Sequence, residues 1–326
     1  MMGRPQRTIG RPVVIEGVGL HTGVRGTMRM VPGETDTGVL FVRTDLPGRP
    51  EIEVRPENAC FDPRAGRRTI LQDRGVQVHT MEHVLAAVAG VGVDNLRIET
   101  SSMEVPEGHD GSAEPIARAL IEAGIVDQDR TVRHVKIMKP VRWSENGVEL
   151  SAVPHQGFRI TFTIEYDHPL IGRQTITLDL DRETFMKQIA PARTFVLERD
   201  VEALRQAGWI RGGRLENAVV VGKDRILNPE PLRFPDEFVR HKVLDLLGDL
   251  FLLGGPVLGH ITAVRSGHQS HVAFVVGDAA DRLHHLVHGR QPDAGANPQW
   301  LHLDCLQRHR GGNRNEHDAL VGRTDR

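Results

Sequence analysis

The chain has only two cysteines among its 326 residues, Cys60 and Cys305, far apart and in unlike surroundings. That excludes a disulfide framework and a zinc site built on thiolates, and it fits a reducing compartment. The opening run MMGRPQRTIGRPVVIEG has arginines but no apolar segment, so it does not read as a secretory signal. A long uninterrupted apolar run is missing too. The most apolar stretch, Val243–Val264, is broken by Asp245, Asp249 and His260, which a membrane-spanning helix would carry at high cost. Neither sign of charge is in excess: 41 basic residues face 43 acidic ones, for a net charge of −2. Such a chain has no bulk electrostatic reason to bind nucleic acid, although a local patch can still hold phosphate. The expected protein is cytoplasmic and monomeric, with no transmembrane segment and at most weak contact with a membrane surface.

What is present is ordinary globular composition, 39% hydrophobic and 26% charged, in a chain long enough for two domains. Residues 8–54 read as strands; Val24, Met28 and Met30 are the apolar positions of one of them. A helix follows, with Thr80 as its N-cap and Gly90 or Gly92 as its end. LRIET is a strand, and DGSAEPIARALIEAG is a helix capped by Asp110 or Ser112 and stopped by Gly124. The polar run Asp127–Arg130 reads as the boundary between a first domain, 1–127, and a second, 131–277. In the second, Phe158, Ile160, Phe162 and Ile164 alternate as one buried strand face. A long helix ends at Gly254, Gly255 and Pro256. Strands running into helices twice over predict an α+β fold, with helices layered on antiparallel sheets. No internal sequence repeat is defensible. The glycine- and histidine-rich extension 278–326 is expected to be partly disordered.

Chemistry concentrates in three places. His241, Asp245 and Asp249 lie four residues apart on the long helix; such residues sit about 40° apart around the axis, so they form one stripe. An imidazole and a carboxylate at that spacing make half a zinc site. The same spacing also suits a capped core histidine on an amphipathic helix. Neighbouring Leu244, Leu247, Leu250 and Phe251 demand burial, and buried carboxylates need a cation or a dense hydrogen-bond network. Thr80-Met81-Glu82-His83 opens the earlier helix; it offers a ligand beside a general base, or merely a surface Glu-His pair. Ser266-Gly267-His268 follows a strand, where a loop histidine can serve as an acid or simply face solvent. GVGLHTG (17–23) has the wrong glycine spacing for a dinucleotide loop and no following helix, so it reads as a tight turn between strands.

Taken together, RTIGRPVVIEGVGLHTG, TMEHVLAAVAGVGVDN, DGSAEP, ARTF, LRFPDEFVRHKVLDLLGDLF and SGH resemble, in order over residues 7–275, the UDP-3-O-acyl-N-acetylglucosamine deacetylase family of lipid A synthesis. RFPDEFVRHKVLDLLGD is the most specific block. The resemblance implies two similar α+β domains packed helix layer to helix layer, with the active site between them. It implies one catalytic zinc, or ferrous iron, on His83, His241 and Asp245, and a UDP-linked acylated glucosamine as substrate. Glu82 would be the general base, and His268 the cation that protonates the leaving amine, oriented by Asp249. Thr194 would hold the oxyanion and Lys242 the polar head of the substrate. Phe195, Val201, Leu204 and Ile210 would line the passage for the acyl chain. The chain departs from the family pattern at His109, at Trp209, and at Gln269-Ser270-His271, where an asparagine commonly follows the SGH histidine.

Overall fold

The computed structural model describes residues 4–61, 67–106 and 110–276. His109, Cys305 and the whole extension 278–326 lie outside the described residues. The chain opens with β1 (Pro5–Ile9), β2 (Val13–Val18), β3 (Arg25–Pro32), β4 (Val39–Arg43) and β5 (Glu51–Glu53). A small antiparallel sheet follows, of β6 (Ala59–Cys60), β7 (Ile70–Asp73) and β8 (Val76–His79), and it leads into α1 (Glu82–Val91). Next come β9 (Leu96–Thr100), α2 (Glu114–Glu122) and β10 (Ile125–Thr131). The second half contains β11 (Val135–Lys136), β12 (Val141–Glu145), β13 (Val148–Val153), β14 (Phe158–Glu165) and β15 (Arg173–Asp179). After α3 (Arg182–Thr184), continued by a π-turn to Ile189, come β16 (Phe195–Leu197), α4 (Glu198–Gln206) and β17 (Val219–Val221). The chain then forms α5 (Glu237–Leu250), β18 (Val257–Val264) and α6 (His268–Val276).

The fold is α+β, and its two main sheets share one topology. The first runs β2-β3-β9-β4-β5 and the second β12-β13-β18-β14-β15, with β11 added beside β18. In each, the third strand of the sheet is antiparallel to the second and parallel to the fourth. One helix precedes that central strand and one follows it: α1 and α2 around β9, α5 and α6 around β18. The repeat is thus one of topology without a detectable repeat of sequence, because sheet pairing constrains alternation of apolar side chains rather than their identity. β14 shows the alternation: Ile160, Phe162 and Ile164 are buried, while Thr161 and Thr163 pair with Thr177 and Thr175 across the other face.

α1 is apolar nearly all round and is buried accordingly. α5 approaches it closely at a glycine of its own. A Cβ at Gly248 of α5 would fall on the Glu82 main chain, and one at Gly90 would fall into the Phe185 ring. Gly92 closes α1 in the left-handed conformation, as the sequence predicts.

Three local expectations need correction. Asp127–Arg130, read as the domain boundary, is not irregular chain: it lies within β10, which pairs with β1 in an edge ribbon exposed enough to carry polar residues. Val24 precedes β3 and is exposed. Cys60 is not a free thiol, contrary to what the cysteine count suggests. Among the described residues no helix is long and apolar enough to cross a membrane.

Candidate active site

The start of α1 is set by a strained residue. Thr80 is not the N-cap; it adopts φ 57° and its hydroxyl donates to Glu104. A β-branched residue in that region costs of order 1–3 kcal/mol and persists only where its surroundings hold it. Glu104 is the holder. Fully buried, it also accepts from the His21 and Thr22 amides and the Thr22 hydroxyl, so the GVGLHTG turn between β2 and β3 is tied to the entry of α1. The consequence is that Glu82 and His83 begin α1 with their side chains facing α5.

On α5 the expected stripe is present and buried, with His241 3% exposed, Asp245 3% and Asp249 1%. The Nε2 atoms of His241 and His83 lie 3.3 and 3.6 Å from Asp245 Oδ1, and the two imidazole rings meet edge to face. His241 Nδ1 lies 3.1 Å from the Ala192 carbonyl, which can only accept, so Nδ1 carries the hydrogen and Nε2 is left as a lone-pair donor. Asp245 Oδ1 is buried with no hydrogen-bond partner, while Oδ2 accepts from Lys242 at 2.6 Å. An orphaned buried carboxylate oxygen between two imidazoles is costly unless a cation occupies the space. These three donors fit a small divalent metal ion, and among the described residues no cysteine joins the group. Burial pushes the His241 imidazole down to about 4, so it stays neutral and able to ligate. Burial opposes charge on Asp245 as well, but Lys242, His241 and His268 outweigh it and hold the carboxyl well below its usual range.

Glu82 and His268 flank this triad. His268 is the first residue of α6 rather than a loop residue, and its Nε2 lies 3.8 Å from Glu82 Oε1 and 3.7 Å from Asp245 Oδ2. Burial raises the Glu82 carboxyl to about 7, poised to take a proton near neutrality. Burial disfavours charge on His268, but Asp249, Asp245 and Glu82 together reverse that and raise the imidazole to about 9. Burial opposes charge on Asp249 too, but the charge and hydrogen bond of His268, with His271, outweigh it and lower the carboxyl to about 2, so it stays ionised. It accepts from His268 Nδ1 at 2.8 Å.

Glu82, His83, His241, Asp245 and His268 line a cavity of about 860 Å³, a size suited to a substantial ligand. Thr194, Phe195, Val201, Leu204, Ile210 and Lys242 all line it. Thr194 is positioned by the DGSA loop, since its amide donates to the Gly111 carbonyl, and by α5, since neighbouring Arg193 forms a buried ion pair with Glu237. Phe195 packs on Tyr166 and Phe238. Trp209 lines the cavity too, beneath the Arg68 guanidinium. Asp249 is the one candidate that does not line the cavity; it stands behind His268.

Sequence reasoning missed Thr69, whose hydroxyl donates to Asp249 at 2.6 Å and whose amide lies 3.3 Å from Glu82 Oε2. It also missed Glu104 and the structural part played by His271. A threonine in RRTI has no local pattern that marks it; only the fold brings it to α5, 180 residues away.

The sequence matches the UDP-3-O-acyl N-acetylglycosamine deacetylase family over residues 6–277. The chain belongs to that family. Relatives bearing the name UDP-3-O-acyl-N-acetylglucosamine deacetylase include those of Myxococcus xanthus, at 46% identity over 81% of this chain and 82% of theirs. Those of Chromobacterium violaceum and Bdellovibrio bacteriovorus are 43% and 41% identical over 81% of this chain and 86% of their own. The matched span includes every member of the constellation around Asp245.

Proposed function

We propose that this protein hydrolyses the acetamide of a UDP-linked, 3-O-acylated N-acetylglucosamine, releasing acetate and the free amine, the committed step of lipid A synthesis. The observation that carries the reading is the orphaned Asp245 Oδ1 between His83 and His241, with Glu82 and His268 beside it in the wall of the cavity. Membership of the deacetylase family supports the substrate assignment. The two sheets of equal topology support a division into similar domains, 1–127 and 131–277, that contribute Glu82 with His83 and the α5 residues respectively.

His83, His241 and Asp245 would hold one divalent ion, zinc or ferrous iron. That ion supplies Lewis acidity and makes water a competent nucleophile near neutral pH. The remaining work falls to the protein's own side chains. Glu82, ionised above about 7, accepts a proton from the attacking water as the new C–O bond forms. Thr194 lies in the cavity wall to hold the oxygen that becomes negative. An amine leaves poorly unless protonated, and His268 Nε2–H gives its proton to the nitrogen as the C–N bond breaks. Asp249 keeps that imidazole cationic and oriented. Lys242 and the cavity arginines Arg205, Arg214 and Arg265 suit the polar, diphosphate-bearing part of the substrate. Phe195, Val201, Leu204 and Ile210 suit the acyl chain, and Trp209 shares the same wall.

The test is acetate release from the acylated UDP-sugar with and without chelator, alongside metal analysis of His241→Ala. About one ion per chain in the parent, with metal and turnover both lost in the variant, is expected. Full metal occupancy in His241→Ala would remove the assignment. Equal turnover of a substrate lacking the 3-O-acyl group would point to a general N-acetyl-sugar deacetylase.

A further inference from the structure

Asp249 serves two imidazoles, and only one of them belongs to the reaction just described. Its Oδ2 lies 2.8 Å from His268 Nδ1 and 2.7 Å from His271 Nδ1, and its Oδ1 accepts from the Thr69 hydroxyl. His271 sits one turn into α6, has no exposed surface, and touches Ser266 Oγ through Nε2 at 3.0 Å.

Hydrogen-bond bookkeeping fixes the protons. Asp249 is acceptor-only, so both Nδ1 atoms must carry hydrogen. His271, kept neutral by its burial, then has a lone pair at Nε2, and Ser266 Oγ–H must donate to it. With Thr69 on Oδ1 and two imidazoles on Oδ2, the Asp249 carboxylate is clamped from three directions. It has no freedom to swing away from His268. His268 is thereby held as the tautomer with hydrogen on Nδ1, leaving Nε2, the atom facing Glu82 and Asp245, to gain and lose the proton.

We propose that His271 is a positioning residue for this reaction, acting through Asp249 to fix the orientation and tautomer of His268. This rests on the reading of His268 as the acid, and its test separates the two. His271→Leu keeps bulk but removes the donor; His271→Asn keeps an N–H in reach of Asp249. The Leu variant should lose about 10- to 100-fold in kcat, the range for partners that orient a functional imidazole, with KM within twofold and metal content unchanged. The Asn variant should recover most of that loss. In an Asp249→Ala background, adding His271→Leu should change kcat by less than twofold, because the coupling path is already gone.

Parental kcat in a folded His271→Leu variant would overturn the proposal. So would an equal loss with and without Asp249, which would mean a general packing defect. If His268→Gln itself has parental turnover, it is the reading of His268 as the acid that fails. Should the Leu variant not fold, the parent protein decides through its ¹⁵N imidazole spectrum. His271 must show hydrogen on Nδ1 and an unprotonated Nε2; the opposite tautomer sinks the idea.

Discussion

The closeness of α1 and α5 gives the most direct test of how packing governs this site. Gly248 has no side chain because none fits: a Cβ there would lie 2.8 Å from the Glu82 carbonyl carbon and closer still to its oxygen. Carbon atoms pack at roughly 3.5–4.0 Å, so Gly248→Ala must drive the helices apart by about 1 Å. The obstructing atoms are main chain, which cannot rotate away. Two effects follow. Overpacking of this kind costs about 1–3 kcal/mol, which lowers Tm by a few °C per kcal/mol. The displacement also falls on Glu82 and His83, which ride on α1, relative to Asp245 on α5. A 1 Å misplacement of catalytic groups can cost about 10²-fold in rate. Acetate release at 25 °C should therefore fall about 10²-fold in kcat/KM, with weaker metal retention, well below the temperature at which the variant melts. A Gly248→Ala protein with parental turnover and parental Tm would refute the claim that this helix contact sets the geometry.

Other outcomes follow from the same geometry. Glu82→Gln should keep the metal while kcat drops by about 10²–10⁴-fold, since Glu82 is proposed as base and not as ligand; near-parental turnover, measured beside metal content, would make it a structural residue. The pH profile of kcat/KM should be a bell. In the proposed roles Glu82 is ionised as base, so activity falls as pH drops through about 7, and His268 is protonated as acid, so activity falls as pH rises through about 9. The residual activity of His268→Gln should show no alkaline limb, and persistence of that limb would exclude His268 as the acid. Each buried methylene of the acyl chain contributes about 0.8 kcal/mol, so a ten-carbon chain retains several kcal/mol after ordering costs. Removing the 3-O-acyl group should then lower kcat/KM by about 10³. Leu204→Asp should reproduce much of that loss on the acylated substrate and scarcely alter turnover of the unacylated one; equal damage to both would deny Leu204 a place on the acyl path.

Much of this protein was legible before any coordinates. The α5 stripe of His241, Asp245 and Asp249 is a statement about helical period, which sequence spacing determines wherever a helix forms. The alternation of β14, the glycine at the end of α1 and the turn at residues 17–23 are equally local, set by side-chain period or by φ. Where local reading failed, a distant partner had intervened. Thr80 looked like a cap, but Glu104 takes its hydroxyl and its backbone is twisted to suit. The polar run Asp127–Arg130 gave no strand signal of its own, but β1 offered it a ladder.

Sequence alone could nominate His83, His241, Asp245, Glu82 and His268 as residue types suited to the chemistry, because ligand and proton-transfer capacity are properties of single side chains. Only the tertiary structure decided that α1 and α5 meet without a side chain between them at Gly248, which places His83 beside His241. It alone left Asp245 Oδ1 unpartnered, and it alone brought Thr69 and His271 to opposite ends of the Asp249 carboxylate. The physical reason is the range of the forces involved. Helical period and turn preference act over a few residues, whereas desolvation and the partnering of buried charge depend on which segments the whole chain folds together.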